Sequence, residues 1–503
     1  MKRISQNLSL SFIFCLLTFT TAAAQSVQWV QTTDGNFAQP QKAVKLQTKA
    51  AAEPALTITG QEQGHTFRHW GTTFNEQDWR ALQMLRRDEQ DEILSRMFAS
   101  DGELRFTRGR IGMNANDYAL DWWSCDEVEG DFRLEHFTIE RDRQYIIPYI
   151  RAAQKYCPDM TFWISPWSPP SWMKINHHYA VQSSKWNDLD PRLDWLLFGD
   201  SDRSDNEQVN PDKRLFPRRL ATQDFFIQEP RYLQAYANYF CRFIDEYAKE
   251  GIPITMVMYQ NEAYSYTPYP GCPWTVEGIQ RFNLDYLAPT LREKHPEVSL
   301  YLGTFNTNRY DHVMEVLADD RWLENIKGLG FQWEGLQILP RIHEQHPAYD
   351  LISTESECGN GRMDWHAAEH TFDLLNLYVG QGCTEYYNWN AVLCGQGESR
   401  WGWRQNGLVQ VNSKTREYRY TPEWYAYYHY SHFISKGSTI IAFKAGRDNH
   451  GVPILVASEP KGQIVIVIGN WNDEASTISI QLRGKYLNAE LPAHSFQTYV
   501  IQK

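Results

Sequence analysis

The chain has 503 residues, enough for one large domain, a smaller companion and a sizeable core. Its formal net charge of −12 argues against a nucleic-acid partner, because binding phosphate needs a basic surface. Aromatic residues reach 14 %, with 19 Trp and 28 Tyr, which fits either a large aromatic core or a groove that stacks the apolar faces of sugars.

The amino terminus reads as an export signal removed from the mature protein. Met1-Lys2-Arg3 is a basic head, Leu8 to Thr21 is apolar and hydroxylated, and Ala22-Ala23-Ala24 offers a small-residue cleavage site. Cleavage after about Ala24 and an exported product, periplasmic or secreted, are therefore expected. No later stretch approaches about 18 consecutive apolar residues, so no membrane span is expected. Seven cysteines remain, irregularly spaced and odd in number, so at least one is a free thiol; Cys383 and Cys394 lie close enough in sequence to bridge. The chain has no CxxC or HExxH pattern, and neither a metal nor another cofactor is expected.

Residues 25–65 are polar, with extended stretches at 44–47 and 55–59. Gly71-Thr-Thr-Phe-Asn-Glu76 reads as a turn, followed by helical periodicity over 78–85 and 87–99. From Phe106 strands and helices alternate. Strands are predicted at 106–112, 161–165, 256–259, 298–303, 328–333, 350–355 and 383–389. Helices are predicted at 146–156, 230–249, 276–294, 310–317 and 366–378. About seven or eight such units argue for an α/β fold, a (β/α)8 barrel over 66–432. A doubly wound open sheet is the competing architecture, weakened by the lack of a glycine-rich phosphate turn. The segment 183–222 is a charged insertion after the strand that ends at Ser165. Beyond about Gly437 only strands follow, so 433–503 is predicted as a β-sandwich, too small to stand alone and completed by the strands of 25–65.

In a barrel, catalytic groups sit at the carboxyl ends of strands. Three carboxylates meet that condition: Asp117, Glu262 and Glu355. Glu262 and Glu355 lie 93 residues apart, about three βα units of roughly 30 residues, and so on opposite walls of the barrel mouth. Paired carboxylates across a cleft are what glycoside hydrolysis needs, one protonated to release the leaving oxygen and one ionised. Chance alone also places carboxylates at strand ends, but Trp167, Trp172, Trp333 and Trp389 stand at the ends of several strands too, where a barrel opens to solvent or to a site.

The sequence resembles glycoside hydrolase family 30, which includes glucosylceramidases, β-1,6-glucanases and β-xylosidases. The matching segments are Arg110-Ile-Gly-Met-Asn-Ala-Asn-Asp117, Ser165-Pro-Trp-Ser-Pro-Pro-Ser-Trp-Met-Lys174, Tyr259-Gln-Asn-Glu262, Thr354-Glu355, Tyr387-Asn-Trp-Asn390 and the exit Ser431-His-Phe-Ile-Ser-Lys-Gly437. The resemblance implies a retaining glycoside hydrolase with Glu262 as acid/base and Glu355 as nucleophile. Arg110, Asp117, Trp167, Asn261, Trp333 and Trp389 are the expected substrate-site residues. Glu262 is expected to be kept protonated by its surroundings, and Glu355 ionised by donors such as Arg110. Arg110 could equally form a structural ion pair, and Trp389 could equally be packing. Glu357 is the rival nucleophile, two residues on. Phe331-Gln-Trp-Glu334 departs from the family's usual His before the Trp and Tyr after it, which weakens a transfer of glucosylceramidase specificity. The expected substrate is an oligosaccharide or polysaccharide, and Gly71–Glu76 with Phe331–Trp333 stand nearest the β-1,6-glucanase branch. The alternatives are an exo-acting β-glucosidase, glucosylceramidase-like or β-xylosidase activity, and, from another class, a non-catalytic glycan-binding protein on a hydrolase scaffold.

Overall fold

The computed structural model describes residues 26–192, 223–446 and 452–502. The signal segment read at 1–24 and most of the 183–222 insertion lie outside the described residues. Eight parallel strands close into a barrel: His69–Phe74, Arg108–Met113, Thr161–Pro166, Ile254–Val257, Ser299–Phe305, Gly328–Gln332, Asp350–Glu355 and Cys383–Asn388, the last pairing with the first. They are buried on both faces, so their sequences run apolar rather than alternating. A layer of Trp163, Met256, Met258, Tyr301, Ile352 and Tyr387 fills the interior.

The segment read as a turn at Gly71 belongs to the first barrel strand. Glycine is required there because a Cβ would stand 2.6 Å from the Tyr387 ring and 2.3 Å from the Arg108 carbonyl oxygen. The residue that looked like a turn signal marks a close approach inside the barrel.

The helix Pro230–Lys249 buries Leu233, Tyr236, Phe240, Phe243 and Tyr247 at helical spacing, starts on a proline and ends before Gly251 at φ +71. The segment predicted as one helix over 276–294 contains a π-helical stretch at Arg281–Leu287 between two α-helical ones. The helix Pro422–Ser431 and a small sheet of Val392–Cys394, Val409–Val411 and Tyr418–Tyr420 were not anticipated.

The sandwich draws on both ends of the described chain. Ser26–Thr33 pairs antiparallel with Ser495–Ile501, and Pro54–Ile58 pairs parallel with Ser476–Leu482. Val27, Ile454, Ile466, Ile468, Ile480, Leu487 and Tyr499 share its core. His429 of the Pro422–Ser431 helix joins it to the barrel, with one ring nitrogen 2.8 Å from Thr498 Oγ1 and the other 2.8 Å from Thr32 Oγ1. All seven cysteines of the described residues are free, Cys383 and Cys394 included, so the bridge considered between those two is absent. Among the described residues no helix is long and apolar enough to cross a membrane.

Candidate active site

The two carboxylates reach the carboxyl-end mouth of the barrel by different routes. Glu355 is the last residue of the seventh strand. Glu262 lies five residues past the fourth, on backbone still tied to its neighbours. Met258 N–H donates to Ile164 O (2.9 Å), Asn261 N–H to Pro166 O (2.7 Å) and Thr304 N–H to Gln260 O (2.9 Å). Glu262 N–H donates to Thr304 Oγ1 at 3.0 Å. With φ 49, Glu262 adopts the left-handed backbone that non-glycine residues avoid, as does Trp333, also at φ 49. Strain of this kind, of order 1–3 kcal/mol each, concentrates at functional sites.

Arg110, fully buried, is the hub of the mouth. Its Nη1 donates to Glu355 Oε2 at 2.9 Å and to the Thr354 carbonyl at 3.2 Å, and its Nη2 donates to Asn261 Oδ1 at 2.7 Å. The guanidinium carbon lies 4.5 Å from the Trp167 ring centroid and 5.5 Å from that of Trp389. Trp167 and Trp389 stack at 4.9 Å. Trp333 Nε1–H donates to Glu355 Oε1 at 3.0 Å, so this indole holds the carboxylate directly.

Glu262 has neutral donors. Ser265 Oγ–H donates to its Oε2 at 2.6 Å and Gln332 Nε2–H to its Oε1 at 3.0 Å. Gln332 Oε1 in turn accepts from Thr354 Oγ1 at 3.0 Å, and Asn306 Nδ2 donates to Ser265 Oγ at 2.9 Å. Arg110 and Gln332 thus form two bridges between the walls, one from Glu355 to Asn261 and one from Glu262 to Thr354. Ser265, Asn306 and Gln332 were missed as site residues. Their only sequence signal is position, in the loop after the fourth strand, just beyond the fifth, and at the last residue of the sixth.

Burial pushes the Glu355 carboxyl up to about 7; the Arg110 charge opposes this, the Glu262 charge adds to it, and the Trp333 and Arg110 hydrogen bonds pull it back. The expected donors are present, yet burial outweighs them, contrary to the expectation that they would hold Glu355 low. Asp117 is buried at the same mouth. Burial, then the charges of Glu355 and Glu262, push its carboxyl well above the usual range, and its Oδ1 makes no hydrogen bond. Trp389 Nε1–H also lacks an acceptor. An acceptor and a donor left unmatched at one buried mouth suit a hydroxylated ligand.

Two sequence candidates fall away from the mouth. Glu357 pairs with His370 at 2.6 Å on a neighbouring helix, its side chain 43 % exposed. Trp172 is buried against Phe132 and Tyr232, its Nε1–H on the Asp126 carbonyl. Lys174, at the end of the same motif, is buried and clamps two loops by donating to the carbonyls of Tyr179 and Gly271, each at 2.7 Å. Burial lowers its ammonium to about 8. The described residues hold no group of three or more His, Cys, Asp or Glu able to bind a metal.

The chain is similar to known glycosidases. The protein "Putative glucosylceramidase 2" of Caenorhabditis elegans is 25 % identical over 83 % of this chain and 77 % of its own length. An endo-1,6-β-D-glucanase of Neurospora crassa is 21 % identical over 88 % and 87 %. The solved structure of the endo-β1,6-glucanase BT3312 superposes with a TM-score of 0.74 at 20 % identity, covering 95 % of this chain and all of that one, which shows a shared fold. The family model for the glycosyl hydrolase family 30 TIM-barrel domain matches residues 67–185 and 227–434, and that for the family's β-sandwich domain matches 437–499. Matched through both its barrel and its sandwich, the chain belongs to glycosyl hydrolase family 30, a family of retaining enzymes, and is a glycoside hydrolase.

Proposed function

We propose that the enzyme hydrolyses β-1,6-linked glucan, with Glu262 as acid/base and Glu355 as nucleophile. The observation that carries the role assignment is the contrast in their donors. Glu355 rests on a buried guanidinium and an indole N–H, which favour an anion. Glu262 is held instead by a neutral hydroxyl and a neutral amide, without the fixed cation that Glu355 has, as suits a group that gives up and takes back a proton in each cycle.

In the first step Glu355 attacks the anomeric carbon and forms a glycosyl ester, while the bond to the leaving oxygen breaks and that oxygen takes the proton of Glu262. In the second, Glu262 takes a proton from water, the water oxygen attacks the anomeric carbon from the opposite face, and Glu355 leaves as carboxylate. Arg110 stays in place throughout, stabilising the carboxylate at the start and end of the cycle. The Asn261 Oδ1 is taken by Arg110, which leaves its Nδ2 to serve as the donor for the sugar 2-OH. Asp117 Oδ1 and Trp389 Nε1–H serve further hydroxyls, and the Trp167–Trp389 pair backs the sugar ring.

The β-1,6 linkage is supported by the likeness to the endo-1,6-β-glucanases, and by Gln332 and Glu334 flanking Trp333 in place of the family's usual pair. The basic, apolar and small-residue order of residues 1–24 supports export of the enzyme.

The test compares wild type, Glu262→Gln and Glu355→Gln on aryl β-glycosides with poor leaving groups, on linear β-1,6-glucan and on glucosylceramide. Each variant should lose about three or more decades in rate. Full activity in either would sink its role. Turnover of glucosylceramide but not of the glucan would replace the linkage assignment with a lipid-linked one. NMR of the first product should show the β-anomer.

A further inference from the structure

Outside the carboxylate site, the loops around the barrel mouth form a surface concavity of about 530 Å³, within the range of small-molecule sites. Trp122, from the loop after the second strand, forms one wall; the loop after the third, with His178, Tyr179 and Trp186 among its lining residues, forms the rest. Trp122 stacks on Tyr179, with ring centroids 5.8 Å apart and planes 15° apart. Trp186 is 44 % exposed, unusual for so large an apolar side chain. Lys185 Nζ stands 4.8 Å from the Trp186 ring centroid, an exposed and weak contact that an incoming ring can displace. Asp188, its side chain 94 % exposed, is oriented by His178, whose Nδ1 accepts from Ala180 N–H and whose Nε2 lies 3.2 Å from the Asp188 carboxylate.

The concavity is built onto the site rather than loosely hung beside it. Val181 and Gln182 N–H both donate to Thr267 O, and Asn187 Nδ2 donates to Pro268 O, tying this loop to the one that follows Glu262. Trp186 also packs on Gly402, where φ is +93 and a Cβ would come within 2.4 Å of the indole nitrogen. The two neighbours of Gly402 reach in opposite directions. Trp401 packs on Trp122 at 4.9 Å, and Trp403 packs on Tyr269 at 4.2 Å and on the aromatic cluster of Trp167 and Trp389. Rings therefore flank Gly402 on both sides, one group reaching the aromatic cluster beside the carboxylates and the other lining the concavity.

We propose that this concavity is a distal subsite for a neutral glucan chain whose other end lies between Glu262 and Glu355. Exposed indole faces suit the apolar faces of hexoses, while Asp188 and Lys185, of opposite charge, offer an acceptor and a donor to hydroxyls without selecting a charged ligand. The inference rests on the reading of the enzyme as a polysaccharide hydrolase, and it makes Trp186 a determinant of polymer over small-glycoside use.

The test follows wild type, Trp186→Ala and Trp186→Phe on an aryl β-glucoside, which fills only the carboxylate site, and on linear β-1,6-glucan. The same proteins are run through gels holding β-1,6-, β-1,3- or β-1,4-glucan. Trp186→Ala should raise KM for the polymer about three- to tenfold, the size of one lost ring contact. Its kcat and its activity on the aryl glucoside should stay at wild-type values, and Trp186→Phe should restore most of the polymer KM. Equal losses on both substrates, or an unchanged polymer KM and gel mobility, would overturn the subsite, as would a wild type retarded by none of the three glucans. Retardation through Trp186 by a different glucan, with β-1,6-glucan left uncut, would remove the linkage assignment and keep the subsite.

Discussion

The two ends of the barrel are built from the same residue types and do opposite things. Arg108 and Arg110 stand two residues apart on the second strand, so both point inward, one at each end. Asp350 and Glu355 likewise begin and end the seventh strand. At the amino end, Arg108 pairs with Glu385 at 2.7 Å, and Arg68 pairs with both Glu385 and Asp350. Tyr387 OH and Tyr301 OH supply further donors, at 2.5 Å to Glu385 and 2.6 Å to Asp350. Two cations face two carboxylates, each of them also hydrogen-bonded. At the carboxyl end Arg110 faces Glu355, the Glu262 charge raises Glu355, both raise Asp117, and Asp117 Oδ1 has no donor. The difference is one of stoichiometry. A neutralised buried network holds strands together, whereas an excess of carboxyls over cations leaves protons to be moved.

The contrast can be broken most sharply at the two arginines. Arg110→Met should lower kcat/KM by about 100-fold or more, the scale of losing a preorganised charge beside a reacting group. With the cation gone Glu355 rises further, so, with Glu355 in the proposed nucleophile role, the acid limb of the pH–kcat/KM profile should move to higher pH; an unchanged limb would mean that Arg110 does not set the ionisation of Glu355. Arg108→Met should do the reverse. Leaving Glu385 with Arg68 and Tyr387 alone should cost about 1–3 kcal/mol in chemical denaturation, with kcat of the remaining folded enzyme close to wild type.

A smaller effect is expected at Gln332, whose amide links Glu262 to Thr354. Gln332→Ala should reduce kcat about tenfold, the scale of one lost hydrogen bond to a reacting carboxyl, and leave the melting temperature within a few degrees. A purely structural glutamine would show the opposite split.

Asp117→Asn should give the smallest change, in stability against pH. The folded Asp117 carboxyl is raised above its ordinary 3.8, so the native state holds a proton that the unfolded chain releases. Wild-type stability from this group is therefore present below about 3.8 and declines as pH rises above it; Glu355 adds a like decline between about 4.5 and 7. The variant should match wild type near pH 4 in thermal melts and exceed it by a few degrees near pH 8. A difference that does not grow with pH would show that Asp117 does not hold its proton.

Much of the architecture was legible because it is written locally. Seven of the eight barrel strands and the helix Pro230–Lys249 follow from apolar runs, helical spacing and a capping glycine, all of which act within a few residues. The first strand was not, because Gly71 answers to Tyr387, more than three hundred residues away in sequence. The same division runs through the site. Glu262, Glu355, Arg110 and Asp117 could be singled out because strand ends in a barrel converge and because their motifs resemble a family's. Residue identity and order alone put two carboxylates on opposite walls, with rings around them. Only the folded chain decided which donors each would have: the guanidinium and indole on Glu355, the hydroxyl and amide on Glu262, and nothing on Asp117 Oδ1. Hydrogen bonds and desolvation depend on distances of a few ångströms between segments far apart in the chain, and no local pattern encodes those distances.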